Sequence, residues 1–126
     1  MYPKILIVED DEDNMETLTA YLEYFNYTVI KAVDGEEALN KIQSDKPDVV
    51  VLDMSIPKID GWEVARRLRL QPENKDLTVI AFSAMALPHE MERAIKAGCD
   101  AFLTKPMSPE ILIEEIKKIL EEKKKA

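Results

Sequence analysis

In Asp48-Val49-Val50-Val51-Leu52-Asp53-Met54-Ser55-Ile56-Pro57, four consecutive apolar residues run into an aspartate and then into a proline-bearing turn. A strand with one wet face alternates apolar and polar residues. Continuous apolarity instead requires cover on both faces, as in a parallel sheet between two layers of helices. Ile5-Leu6-Ile7-Val8 and Val79-Ile80-Ala81-Phe82 have the same character. Strands are therefore expected at Lys4–Val8, Tyr27–Ala32, Asp48–Leu52, Leu77–Phe82 and Ala101–Thr104. Between them apolar residues recur at helical spacing: Met15, Leu18, Leu22, Phe25; Ala38, Leu39, Ile42; Val64, Ala65, Leu68; Met91, Ala94, Ile95. Leu112, Ile113, Ile116 and Leu120 close the series.

The punctuation agrees. Asp34 with Glu37 and Asp60 with Glu63 have capping-box spacing at the starts of the second and third helices. Gly98 stands where a left-handed C-cap is wanted, and Ser108-Pro109 opens the last helix with a cap and a first-turn proline. Lys123-Lys124-Lys125 are expected to complement the negative end of that helix's dipole. The pattern is strand–helix repeated five times, an α/β fold with a parallel sheet covered on both faces.

Composition narrows the function. The 126 residues suit one domain spanning 1–126, and 46% hydrophobic with 33% charged residues is globular rather than disordered. A net charge of −8 argues against nucleic acid, whose phosphates need a basic face, and against anionic membrane surfaces. The single cysteine, Cys99, excludes an internal disulfide. With no apolar run of spanning length and no signal peptide, the cytoplasm is the expected compartment.

In an open parallel sheet, ligands gather at the carboxyl ends of the strands. Here the first strand ends in Glu9-Asp10-Asp11, the third in Asp53, the fourth in Ser83 and the fifth in Lys105-Pro106. A single loop acid is normally just solvated, but four strand ends converge on related chemistry. At ~5 Å and an effective dielectric of ~20, each pair of like charges costs about 3 kcal/mol. Such a cluster calls for a cation or a raised pKa. Oxygen ligands without His or Cys suit a hard ion that keeps some waters, so Mg²⁺ is the expected metal, with Mn²⁺ as a substitute. A carboxylate beside such an ion and a lysine is also placed to receive a phosphoryl group.

With these motifs in hand, the sequence resembles the receiver domains of two-component response regulators. The resemblance rests on Ile7-Val8-Glu9-Asp10-Asp11, on Leu52-Asp53-Met54-Ser55-Ile56-Pro57-Lys58-Ile59-Asp60-Gly61 and on Ser83-Ala84. Gly98-Cys99-Asp100-Ala101-Phe102-Leu103-Thr104-Lys105-Pro106 completes it. It implies a doubly wound, flavodoxin-like (βα)5 sheet in strand order 2-1-3-4-5. It implies Asp53 as phosphoacceptor, with Glu9, Asp10, Asp53 and the backbone carbonyl of Ser55 holding Mg²⁺. Ser83, small Ala84 and Lys105 would attend the phosphoryl group, Phe102 would be the switch aromatic, and Lys105–Pro106 a cis peptide. The implied partners are a sensor histidine kinase or histidine phosphotransfer protein and a downstream protein target. The target would read the surface of the fourth helix, fifth strand and fifth helix. Asp11 fits a helix N-cap better than a ligand role.

Other readings of the residues are weaker. A haloacid-dehalogenase-type phosphatase needs an aspartate two residues after its nucleophile, where this chain has Ser55. A flavin or nucleotide module needs a Gly- or Ser/Thr-rich loop after the first strand, where Glu9-Asp10-Asp11-Glu12-Asp13 would repel phosphate. A pseudo-receiver would have lost Asp53 or Lys105; both are present. The function expected is therefore a single-domain, phosphorylatable signalling protein rather than an enzyme. His89 is expected on a helix surface, Cys99 buried, Trp62 packed at the start of the third helix, and Leu87-Pro88 to open the fourth helix without a good cap. Met54, Met85, Met91 and Met107 divide between core and surface.

Overall fold

The computed structural model describes residues 3–84, 87–105 and 108–125, the side chains of 124 and 125 excepted. The order is β1 (Lys4–Val8), α1 (Glu12–Tyr24), β2 (Thr28–Ala32), α2 (Gly35–Asp45), β3 (Val49–Asp53) and α3 (Gly61–Arg69). A short 3-10 turn at Pro72–Asn74 precedes β4 (Thr78–Ser83), α4 (Pro88–Ala97), β5 (Ala101–Thr104) and α5 (Pro109–Lys125). All pairings are parallel, in the order β2-β1-β3-β4-β5.

Strand alternation divides the core in two. Leu6, Val8, Val50, Leu52, Val79 and Ala81 point toward α2, α3 and α4, where they meet Ala38, Ile42, Val64, Leu68 and Ala94. Ile5, Ile7, Val49, Val51, Ile80 and Phe82 point the other way, against Met15, Leu18 and Leu22 of α1 and Leu112, Ile113 and Ile116 of α5. That is why the runs in β1, β3 and β4 contain no polar break.

Three strands start one residue later than the sequence suggests. The Tyr27 amide closes the end of α1 onto the Leu22 carbonyl, and that of Leu77 closes a turn onto Asn74. The Asp48 side chain is held by the Lys4 amide at 2.8 Å. Two strands also run one residue further, so Asp53 and Ser83 lie within β3 and β4, with Asp53 opposite Phe82 and Ser83 opposite Thr104.

Capping departs from expectation in detail. Asp34 accepts from the Glu37 amide at 2.7 Å, while Glu37 reaches back to the amide of Val33 at 3.0 Å. Asp60 accepts from the Glu63 amide at 2.9 Å, but Glu63 turns outward to Arg66 and Arg67. Those guanidiniums hold its carboxyl down at about 2. Gly98 has φ 113° and caps α4 as expected. Leu87 supplies no side-chain cap, and Pro88 opens that helix. Lys123, in the last turn of α5, also donates its ammonium to the Asp76 carbonyl at 2.8 Å, tying α5 to the loop before β4. Among the described residues, no helix is long and apolar enough to cross a membrane.

Cys99 is buried, as expected, and Met54 fills the core while Met91 is exposed. Met85 and Met107 lie outside the described residues. Burial pushes the Cys99 thiol from an ordinary 9.0 up to about 12, with Asp100 adding to the effect and Arg69 opposing it. At pH 8.5 the native thiolate fraction is then roughly a thousandfold below that of the unfolded chain. Iodoacetamide labelling should accordingly be very slow in buffer and rapid in urea; equal rates would show the thiol to be accessible. The unfolded thiol ionises first, so this group's contribution to stability is complete below pH 9 and falls away as pH rises toward 12.

Candidate phosphoryl-accepting site

The site sits where β1, β3, β4 and β5 end. Parallel register brings these ends together: Val8 pairs with Leu52, Asp53 with Phe82, and Ser83 with Thr104. Residues from four distant segments therefore share one rim. Glu9, Asp53 and Ser83 are buried, whereas Asp10 is exposed.

Lys105 organises the acids. Its Nζ lies 2.7 Å from Asp53 Oδ2 and 3.2 Å from Glu9 Oε1, and 4.9 Å from the centroid of the Phe82 ring. The second oxygen of Asp53 accepts from the Ser55 amide at 2.9 Å, and that of Glu9 from the Asp11 amide at 3.2 Å. Asp11 itself caps α1, accepting from the Asn14 amide at 3.0 Å, as its sequence position suggests.

The electrostatics follow from burial. Desolvation raises the pKa of Glu9, and the adjoining Asp53 carboxyl raises it further; the Asp11 amide and Lys105 oppose this. For Lys105, burial favours the neutral amine, but the hydrogen bond to Asp53 and the charges of both acids prevail and hold its pKa above the ordinary value. Two buried carboxylates thus share one ammonium. Glu9, Asp10 and Asp53 can each point an oxygen so that all lie within 4.8 Å of one another. An all-oxygen, net-negative donor set of that span fits a small hard dication.

The remaining expected residues divide between the two faces of the sheet, apart from one outside the described residues. Ala84 is exposed beside Lys105, where both line a cleft of about 270 Å³ between α1 and the start of α5. Leu18, Phe82 and Pro109 are its apolar walls. Phe102 is half-buried against the core beneath α2, α3 and α4, on the opposite face from that cleft. Pro106, expected to follow a cis bond, lies outside the described residues. A larger groove of about 980 Å³ lies at the other edge of the sheet, around Lys46–Asp48 and Asp76–Leu77, away from these acids.

Sequence reasoning missed two participants. Phe82 reads as one more core residue, and nothing in a strand of apolar residues indicates that its ring lies under the lysine. Gly61 reads as a helix start. Its amide donates to the Met54 carbonyl at 3.0 Å, and a Cβ there would meet Met54 Cα at 2.6 Å and the Asp53 carbonyl oxygen at 2.8 Å. The Asp-Gly pair before an amphipathic stretch was the available signal.

A parallel sheet with a lysine-bridged acid cluster at its carboxyl edge has the architecture of a signalling receiver. Residues 5–117 match the response regulator receiver domain, and the chain belongs to that family, acting in two-component signalling. It is 39% identical over 120 residues to the alkaline phosphatase synthesis transcriptional regulatory protein PhoP of Bacillus subtilis, covering 95% of this chain but 49% of that protein. It is 35% identical to the polar-differentiation response regulator DivK of Brucella anthropi, covering 95% of this chain and 98% of that one. The chain thus spans about half of the first relative and nearly all of the second.

Among solved structures, a putative response regulator from Chloroflexus aurantiacus superposes with a TM-score of 0.90 at 33% identity, covering 95% of this chain and 98% of that one. The chemotaxis response regulator CheY4 of Vibrio cholerae also gives 0.90, at 27% identity, covering 94% and 99%. Receiver domains bind Mg²⁺ at an acidic pocket and interact with histidine kinases or phosphotransfer proteins and with downstream targets.

Proposed function

We propose that this chain is a single-domain response regulator, one receiver over 1–126, in which Asp53 accepts a phosphoryl group from a histidine kinase or histidine phosphotransfer protein. The observation that carries the reading is the Lys105 ammonium at 2.7 Å from Asp53 Oδ2, with Glu9 and Asp10 beside it. An Asp53 oxygen attacks phosphorus. The phosphorus–nitrogen bond of the phosphohistidine breaks, and the imidazole nitrogen leaves with the bonding pair and takes up a proton. Lys105 meets the charge on the phosphoryl oxygens, and the buried Ser83 hydroxyl donates to one of them.

Asp10, Asp53 and the Ser55 carbonyl, with Glu9 behind them, would hold Mg²⁺ or Mn²⁺, which neutralises the acids and the incoming phosphoryl charge. Ala84 leaves the approach open. Phosphorylation shifts the protein between two states only through its unequal interactions with them. Ser83 and Lys105 supply that difference, and Phe102 passes it to α4, β5 and α5. Leu87, Met91 and Ile95 form an exposed apolar stripe along α4, with Ile111 exposed on α5, which supports this face as the one read by a target protein. The reading is of a cytoplasmic signalling protein with no reaction beyond its own phosphorylation and no affinity for nucleic acid or membrane, consistent with a net charge of −8.

Intact-mass measurement after incubation with acetyl phosphate tests this. A gain of one phosphoryl group is expected for the wild type with Mg²⁺, with none after chelation and none in Asp53→Asn. A gain that survives in Asp53→Asn would reassign the phosphoacceptor.

A further inference from the structure

A stacked cation joins α3 to α4, and each of the two helices carries one buried, unmet polar group. The Arg93 guanidinium of α4 lies 4.2 Å from the centre of the Trp62 ring of α3. The indole Nε1 of Trp62 is buried without a hydrogen-bond partner, and so is Oε2 of Glu90. Glu90 precedes Arg93 by one helical turn, so both belong to the same face of α4. Its other oxygen, Oε1, is 3.2 Å from His89 Nε2. An unused donor and an unused acceptor therefore belong to the two helices that Arg93 bridges. Buried groups of this kind are normally paired.

The α3 end of this contact is fastened beside the phosphoryl-accepting site. Trp62 follows Gly61, whose amide is bound to the Met54 carbonyl next to Asp53 and whose position leaves no room for a Cβ. The start of α3 is thereby fixed to the end of β3. The start of α4 is held less firmly: Leu87 gives no side-chain cap, and Ala94 is the one residue of the helix buried as a whole. It is the next element after β4, which ends at Ser83, five residues before Pro88.

Resting on the phosphorylation reading above, we infer that Trp62, Arg93 and Glu90 form a two-position latch that sets how readily α4 responds to Asp53. With Asp53 unmodified and bound to Lys105, Arg93 stacks on the indole and holds α4 in place. When Ser83 is drawn toward a phosphoryl group, the loosely held start of α4 shifts. The stack then loosens, and the indole N–H donates to the Glu90 carboxylate. Arg93 is a positioning residue for the unmodified state, and Trp62 contributes to both states through different parts of its ring.

The test uses beryllofluoride with Mg²⁺, a non-reacting stand-in for the phosphoryl group. Apparent affinity is measured by calorimetry for the wild type, Arg93→Ala and Trp62→Phe. Arg93→Ala should bind at least about threefold more tightly, because it releases the unmodified state. Trp62→Phe keeps a ring for stacking but has no N–H, and should bind at least about threefold more weakly. Opposite signs at two touching residues are not produced by general loosening of the fold. In the wild type the emission of Trp62, the chain's single tryptophan, should change on binding. If the wild type binds and both variants match it within about twofold, or both shift in the same direction, the latch is overturned while the phosphoacceptor reading stands. If the wild type itself does not bind, both are overturned.

Discussion

Lys105→Ala is expected to slow phosphoryl uptake at Asp53 by about 10- to 100-fold, the worth of a charge-assisted hydrogen bond lost at the reacting oxygens. The Lys105 ammonium touches both buried acids, at 2.7 Å and 3.2 Å. Without it, Asp53 and Glu9 repel each other, and nothing in their place meets the charge of an incoming phosphoryl group. The same substitution should tighten Mg²⁺ binding, because the ammonium and the dication compete for the same oxygens. The two effects have opposite signs, which separates them from simple loss of folding. Uptake followed by intact mass and a Mg²⁺ titration on the same preparation give both numbers. Uptake within about twofold of the wild type would remove Lys105 from the reaction. Lys105→Arg is not a silent control, because a planar guanidinium cannot place one point charge between two carboxylates as an ammonium does.

Gly35→Ala is expected to cost about 3 kcal/mol of stability, at the upper end of what overpacking a filled site does. A Cβ at Gly35 would stand 2.0 Å from the Ile59 carbonyl oxygen and 2.7 Å from Ile59 Cβ. Backbone cannot swing aside as a side-chain tip can. The Gly35 amide also donates to the Pro57 carbonyl at 3.2 Å, and Lys58 Nζ reaches Asp34 at 3.6 Å, so the start of α2 is fastened to the loop that follows Asp53. Making room must displace one or the other. A fall in the thermal midpoint on the order of 10 °C is the expected readout. A midpoint unchanged within a degree or two would mean that the loop yields freely.

Much of the site was legible because each chemical group immediately follows or ends a run that betrays its strand. Glu9, Asp53 and Ser83 needed no contact information to be placed at carboxyl ends: a continuous apolar run marks the strand, and the next polar residue marks its exit. Lys105 follows the shorter run Ala101–Thr104. Strand ends were less legible. Asp48, Leu77 and Tyr27 carry residue types that suit a ladder, but their backbone groups are claimed by Lys4, Asn74 and Leu22, which are turn and cross-strand partners that no local pattern reveals.

The two-sided burial of β1, β3 and β4, the caps at Asp34, Asp60 and Gly98, and the assembly of acids and lysine on one rim were determined by the sequence itself. Periodicity and capping are local, and a right-handed parallel sheet leaves few ways to arrange them. Only the tertiary structure decided that Lys105 divides itself between Asp53 and Glu9 over the Phe82 ring. It also decided that Gly35 and Gly61 must lack side chains, and that Arg93 rests on Trp62. These depend on distances between segments separated by tens of residues, and a few tenths of an ångström there determine whether a contact forms. Such distances are set by how whole helices settle on the sheet, a sum over the entire core that no short stretch of the chain contains.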